Sequence, residues 1–306
     1  MDRAMELPIT GETVVTIGTF DGIHIGHRKV LEQVVREAGK RGMTSLVITF
    51  DPHPLKVLRP SEAPGLLSTI DEKLKLLTQF DIDLVEIIPF TTEFSRLTPR
   101  RFVEEILFEE YSMRALVVGY DHGFGRGRGG SPAMLRSLSR EMGFSLVVVG
   151  PVEVDGEKVS SSRIRKYIGN ADFHYVGRAL GRRYSLSASV VPGEGRGRTI
   201  GFPTANLKVL GGGKLLPPDG VYVVEVLLDG RPYPGMMHQG ERPTFPGVPA
   251  SIEVHLIGFD GEIIGRDVEV EYIDWLRDIR HFDGPVELRD QLVRDRSEAM
   301  KKYIEI

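Results

Sequence analysis

Three stretches of this 306-residue chain carry side chains at spacings that suit phosphate chemistry. The first runs Gly18, Thr19, Phe20, Asp21, Gly22, Ile23, His24, Ile25, Gly26, His27, between an apolar run and a helix-like one. Two histidines three apart at a helix N-terminus put imidazole donors and free backbone N–H groups on one side. A triphosphate can be bound there and charge developing on its α-phosphate stabilised. Gly26 leaves room for a base or ribose to come close. The plainer alternative is two surface histidines in a glycine-rich turn. The second stretch is Gly193 to Asn206. Gly195, Gly197, Arg198 and Gly201 form a loop whose N–H groups can wrap phosphates, and the Thr204 hydroxyl and Asn206 amide oxygen are hard donors suited to Mg2+. By itself this loop reads equally as a flexible hairpin connection. The third is Ser160, Ser161, Ser162, Arg163, Ile164, Arg165. Serines ahead of a helix usually cap it, but arginines behind a hydroxyl-rich helix start also suit β- and γ-phosphates and a departing pyrophosphate. The chain contains no GxxxxGK[ST], so phosphate has to be cradled without a P-loop.

The elements that must position these residues change character midway. Up to about residue 150, β-rich runs at Thr13 to Thr19, Ser45 to Phe50, Leu84 to Ile88, Ala115 to Gly119 and Phe144 to Val149 alternate with helix-like segments. Val30, Leu31, Val34, Val35 and Ala38 have helical spacing, and similar patterns follow Asp71, Thr98 and Ser131. Such alternation predicts parallel strands with right-handed crossovers, a doubly wound α/β sheet with ligands at the carboxyl ends of its strands. Beyond about residue 183 the runs Tyr184 to Val191, Val221 to Leu228, Ser251 to Ile257 and Asp267 to Ile273 are broken by turn signals, with Asp229-Gly230 and Asp260-Gly261 placed as hairpin turns. This predicts a small, all-β antiparallel barrel, and the resemblance given below implies six strands for it. Within it, the period of two puts Glu253 and His255 on one face of a strand and Ile252, Val254 and Leu256 on the other. Leu288, Leu292, Val293, Met300 and Ile304 predict a C-terminal helix against the barrel. The expected domains are 1-180 and 181-306, joined near Gly177 and Gly181.

Composition narrows the partners. Hydrophobic residues make up 41% and charged residues 27%, with no apolar run of the roughly 20 residues that a membrane span needs. The N-terminus lacks a secretory stretch, and the chain has no cysteine, which excludes disulfides, thiolate metal sites and cysteine nucleophiles. A cytoplasmic protein without membrane contact is expected. The net charge of −4 argues against nucleic acid and for small anionic ligands, although Arg126, Arg128, Arg136 and Arg140 cluster locally. A monomer or weak homo-oligomer is the expectation.

The ten-residue string ending in His24-Ile25-Gly26-His27 resembles the signature of the cytidylyltransferase-like nucleotidyltransferases, and its GTFDGIHIGH form resembles FMN adenylyltransferase modules in particular. Thr49 to Pro54 looks like that family's FDPHP loop, which the resemblance puts near flavin and nucleotide through Asp51, Pro52 and His53. Val117 to Gly125 resembles the loop that contacts ATP, with Asp121 toward the nucleotide. The GxGxxG formed by Gly125, Gly127 and Gly130 is discounted as a dinucleotide fingerprint because it follows a late strand. Val159 to Arg165 resembles the ISSTRIR element, with Ser162 in place of threonine. In the other half, GRTIGFPTAN over Gly197 to Asn206 is similar to the GRxxGFPTAN element of riboflavin kinases, and Ile252 to Leu256 to their VEVHL strand. Arg242 and Thr244 match the RPTF segment, preceded by His238, Gln239, Gly240 where Asn, Ile, Gly is usual.

The resemblance therefore spans residues 13 to 300 and implies a Rossmann-like nucleotidyltransferase domain followed by a riboflavin kinase barrel. It implies ATP and Mg2+, riboflavin and FMN as substrates, and FAD as product. Glu253 becomes the general base for the ribityl 5′-hydroxyl, His24 and His27 bind phosphates together with Gly18, Phe20, Asp21 and Gly26, and Arg163 faces the pyrophosphate. Two other readings stay open: a nucleotidyltransferase for another phosphorylated metabolite, and a flavin-binding sensor without turnover.

Overall fold

The computed structural model describes residues 11–125, 130–193, 195–241 and 250–305. Arg126 and Arg128 of the arginine cluster, and Arg242 and Thr244 of the RPTF segment, lie outside the described residues. The chain forms two compact units, one running to Pro64 and over Ile70–Ser160, the other made of Gly65–Thr69 and the chain from Ser161.

The first unit is built on five parallel strands, β1 (Thr13–Ile17), β2 (Thr44–Asp51), β3 (Leu84–Pro89), β4 (Met113–Gly119) and β5 (Ser145–Val149), in the order β3-β2-β1-β4-β5. The order reverses between β1 and β4, the switch point at which open α/β sheets bind ligands. Every residue of β1 is buried, as expected of a central strand covered on both faces. One face packs Val15, Ile17, Leu46, Ile48, Leu116 and Val118; the other presents Val14, Ala115 and Val117 to Val30, Val34 and Ala38 of α1 (Ile25–Arg41). Next come α2 (Pro54–Leu58) and α3 (Ile70–Leu77), whose Leu77 and Leu74 pack with Leu31, Val47, Phe20 and Ile23. The segment after Thr98 departs from the expected α-helix: α4 (Pro99–Arg101) passes into a π-helical stretch, Phe102–Glu110. Then α5 (Pro132–Met142) precedes β5, and β6 (Glu153–Val154) and β7 (Glu157–Lys158) make a small ribbon.

The second unit opens with α6 (Ser161–Gly169) and α7 (Phe173–Leu180), whose Phe173 stacks on Tyr272 with ring centroids 5.0 Å apart. Gly177 lies inside α7, and Gly181 is its left-handed C-cap. The barrel is closed and six-stranded: β8 (Tyr184–Val191), β9 (Ala205–Val209), β10 (Gly220–Leu228), β11 (Arg231–Gly240), β12 (Ser251–Leu256) and β13 (Asp267–Arg277), in the order β10-β11-β12-β9-β8-β13. Between β8 and β9 lies the single turn α8 (Arg196–Thr199), and α9 (Pro285–Ile304) ends the chain.

Two local readings need correction. Asp229-Gly230 is a true hairpin turn, both residues at positive φ between the paired Leu228 and Arg231. Asp260-Gly261 is not, because β12 pairs with β11 and β9 whereas β13 pairs with β10 and β8. The inward stripe of α9 is also rotated from the expected one. It runs through Leu292, Asp295, Ala299 and Tyr303, leaving Val293 and Ile304 exposed, because a carboxylate paired across the fold takes a core position. Among the described residues no helix is long and apolar enough to cross a membrane.

Candidate active sites

In the first unit the predicted residues gather at the carboxyl ends of β1 and β2. The β1–α1 turn is tightly wound, with Phe20 and Ile23 both at positive φ although neither is glycine. Burying both side chains against Leu31 and Val47 offsets that strain. The turn delivers His24 as N-cap of α1, its Nδ1 accepting from the His27 backbone N–H at 3.2 Å. The two imidazoles stack with centroids 3.6 Å apart, and Phe20 meets His27 edge-on at 5.3 Å. Gly26 makes room first for the His24 ring, since a Cβ there would lie 3.1 Å from it.

His27 Nδ1 is buried without a hydrogen-bond partner among the described residues. Burial, then the neighbouring His24 and Lys73, holds its pKa well below the ordinary imidazole value. A neutral ring whose buried nitrogen lacks a partner leaves hydrogen-bonding capacity at the turn. Asp21 is buried behind the turn. Asp51 ends β2, and His53 caps α2 by accepting from the Leu55 N–H at 3.2 Å. Gly18 follows β1 directly, and Asp121 follows β4 across the switch point, exposed. Arg136 and Arg140 are exposed on α5. Ser160 closes this unit, whereas Ser161, Ser162, Arg163 and Arg165 stand on α6 of the second. There Arg165 Nε donates to the Gly65 carbonyl at 2.8 Å.

Sequence reasoning missed Lys73 in this cluster and gave Thr49, within the loop it singled out, no role of its own. Lys73 is 7% exposed on α3, and its Nζ donates to Thr49 Oγ1 at 3.2 Å. The signal was present: Lys73 occupies the i+3 position of the stripe Ile70, Leu74, Leu77, where an apolar residue belongs.

The second unit holds a cavity of about 620 Å3, lined among others by Gly195, Gly197, Thr204, Asn206, Glu253 and His255. The strand register explains the gathering: Glu253 on β12 sits directly opposite Asn206 on β9 and His238 on β11. The period-two expectation holds, with Glu253 and His255 lining the cavity and Val254 and Leu256 buried. Thr204 Oγ1 donates to Glu253 Oε2 at 3.2 Å, and Ser251 Oγ to its Oε1 at 3.2 Å. Because Thr204 spends its proton on Glu253, its oxygen lone pairs remain for a cation, so Thr204 and Asn206 suit a hard divalent metal completed by phosphate and water oxygens. His255 Nδ1 lies 2.8 Å from the Pro203 carbonyl and must donate to it, and burial lowers its pKa. It thereby pins the segment that carries Thr204.

The unusual pair before Arg242 divides in two. His238 faces the cavity, while Gln239 is buried in the barrel, its amide bonded to the Pro217 carbonyl and to Tyr272 Oη. Sequence reasoning also missed the far wall, formed by Phe282 and the buried pair Arg277–Asp295, at 2.7 Å.

Residues 7–163 match the family model for FAD synthetase and residues 180–303 that for riboflavin kinase. The chain belongs to the bifunctional riboflavin kinase/FMN adenylyltransferase family. It is 35% identical over 291 residues to the Escherichia coli K12 member, covering 95% of this chain and 92% of that one. Against the Bacillus subtilis member it is 34% identical over 298 residues, covering 95% and 93%. A crystal structure from Streptococcus pneumoniae, described as a macrolide-efflux protein, superposes with a TM-score of 0.85 at 32% identity and covers 95% of this chain and 94% of that one. Within this family the two clusters divide between the two matched regions, the histidine turn in the first and the Thr204–Glu253 cavity in the second.

Proposed function

We propose that the chain makes FMN and then FAD: it phosphorylates riboflavin in the second unit and adenylylates FMN through the site of the first. The observation that carries this reading is one chain holding both the stacked His24–His27 turn and the Thr204–Asn206–Glu253 cluster. Neither a simple nucleotidyltransferase nor a lone kinase needs both.

In the kinase cavity Glu253 takes the proton from the ribityl 5′-hydroxyl, whose oxygen forms a bond to the γ-phosphorus as the bond to the β–γ bridging oxygen breaks and ADP leaves. Thr204 and Ser251 each hold one oxygen of the Glu253 carboxylate and so aim it. The Gly195–Gly201 loop and the Arg198 guanidinium receive phosphate oxygens, the N–H groups of Arg198, Ile200 and Gly201 being spent on carbonyls within the loop. Thr204 and Asn206 would hold Mg2+, which offsets phosphate charge when bound. The apolar wall of Phe202, Met236, Leu288 and Leu292 receives the flavin ring.

Adenylyl transfer needs no side-chain nucleophile. A phosphate oxygen of FMN bonds to the α-phosphorus of ATP, the bond to the α–β bridging oxygen breaks, and pyrophosphate departs. The N-terminus of α1 and the imidazoles of His24 and His27 stabilise the charge on the transferring group. Asp51, Pro52 and His53 border the flavin side and Asp121 the nucleotide side.

Incubation of the chain with riboflavin, ATP and Mg2+, with flavins resolved by chromatography over time, tests both steps. FMN that rises and then converts to FAD is the expected result. Tight flavin binding without conversion would overturn the reading in favour of a sensor.

A further inference from the structure

The first unit buries a charge that the roles above do not use. Lys73 is 7% exposed, and burying an ammonium costs several kcal/mol unless it is paired and hydrogen-bonded. Its bond to Thr49 Oγ1 is, among the described residues, its one hydrogen bond, against the three N–H groups an ammonium offers. Thr49 in turn donates to the Thr19 carbonyl at 3.3 Å, so Lys73 is anchored at the turn that leads to His24. Burial pulls its pKa down, while Asp21 and Asp51 act through space to keep it charged. Lys73 also acts on His27, whose pKa it helps to lower. A cation and a neutral imidazole, each with hydrogen-bonding capacity left over, thus share the carboxyl end of β2 and the start of α1. Polyanions are the ligands that would satisfy both.

We propose that Lys73 is a phosphate-binding residue of the adenylyl-transfer site, its ammonium donating to oxygens of the reacting phosphates. The proposal rests on the adenylyl transfer proposed above. The shared chemistry is a phosphate oxygen, and its source is either ATP or the FMN phosphate. As α3 binds into the core through Leu74 and Leu77, Lys73 is presented from a rigid helix, so its charge is in place before substrate arrives and costs no reorganisation during transfer.

The test uses the full chain with Lys73→Met, which keeps an unbranched apolar stem and removes the ammonium, and Lys73→Arg, which keeps the charge. FMN-to-FAD conversion is measured at varied ATP and at varied FMN, and riboflavin-to-FMN conversion in the same samples. Unfolding temperature is followed with and without inorganic pyrophosphate. Lys73→Met is expected to lower kcat/KM for adenylylation by about 100-fold, the usual cost of a lost transition-state donor, with riboflavin phosphorylation unchanged. It should also abolish the stabilisation by pyrophosphate without lowering the unfolding temperature of the free protein. A KM rise for ATP assigns the triphosphate, and one for FMN assigns the flavin phosphate. Lys73→Arg should recover part of the loss. Adenylylation by Lys73→Met within threefold of wild type overturns the proposal. So does a Lys73→Met protein of lowered unfolding temperature whose pyrophosphate response is intact, since Lys73 would then be only structural. Should the Met variant not fold, Lys73→Gln decides, adenylylation within threefold of wild type overturning the proposal. Wild-type protein that makes no FAD from FMN would instead overturn the activity on which it rests.

Discussion

Thr204 Oγ1 donates a hydrogen bond to Glu253 Oε2 at 3.2 Å, joining two segments 49 residues apart. The bond links the residue suited to hold the metal, just ahead of β9, to the residue suited to take the proton, on the neighbouring strand β12. Movement of either group is therefore felt by the other.

Glu253→Gln keeps the shape of the side chain and removes its basicity. Riboflavin phosphorylation should fall by about 100-fold or more, the contribution expected of a positioned general base, while FMN adenylylation persists. Separate assays of the two steps on one preparation check this. Equal loss in both would refute independent sites.

A Cβ on Gly197 would lie 2.2 Å from the Phe202 carbonyl oxygen, and the Gly197 carbonyl already accepts from the Phe202 N–H at 2.8 Å. Gly197→Ala must displace the backbone that carries Thr204. Its expected result is a riboflavin kinase with a raised KM for ATP and a lowered kcat, next to unaltered adenylylation, read by steady-state kinetics.

Arg277 and Asp295 pair at 2.7 Å with side chains 12% and 3% exposed, and Gln291 donates a further bond to the carboxylate. Removing one partner strands a buried charge. Asp295→Ala should destabilise the second unit by about 3 kcal/mol and raise the KM for riboflavin, because the pair ties α9 to the cavity wall. The double change Arg277→Met with Asp295→Leu should recover most of the stability in denaturant titrations.

Burial holds His27 neutral well below the ordinary imidazole pKa of 6.5. The unfolded chain takes up that proton as pH falls through 6.5, while the folded chain does not, so the unfolded state binds more protons in this window. The contribution of His27 to stability is complete above that value and is lost as pH falls below it toward the depressed one. Unfolding temperature measured from pH 7.5 downward should drop more steeply for wild type than for His27→Gln. Parallel curves would show that His27 is not the group responsible. The same variant should lose adenylylation and keep riboflavin phosphorylation.

The sequence by itself determined the local structure and the motifs. The alternation of β-rich and helix-like runs specified a parallel sheet, and the period of two in β12 specified which side chains share a face, because both depend only on neighbours along the chain. GTFDGIHIGH and GRTIGFPTAN were legible because a tight turn or a phosphate loop needs glycine, hydroxyl and charge at fixed spacing. Strand β9 starts at the end of the second of these, where Ala205 and Asn206 read as loop although Ala205–Val209 pairs with β8 and β12. Tertiary structure alone decided what distant segments share. Asp260-Gly261 carries a turn signal, yet which strand follows β12 in the barrel depends on closure of all six strands, a non-local condition. Lys73 and Asp295 break the apolar stripes of their helices, and a charge at such a position reads as an error in the pattern until its partner is seen. For Lys73 that partner is Thr49, and for Asp295 it is Arg277. Buried charge is tolerated only where hydrogen bonds and opposite charge meet it, and those come from parts of the chain that only folding brings together.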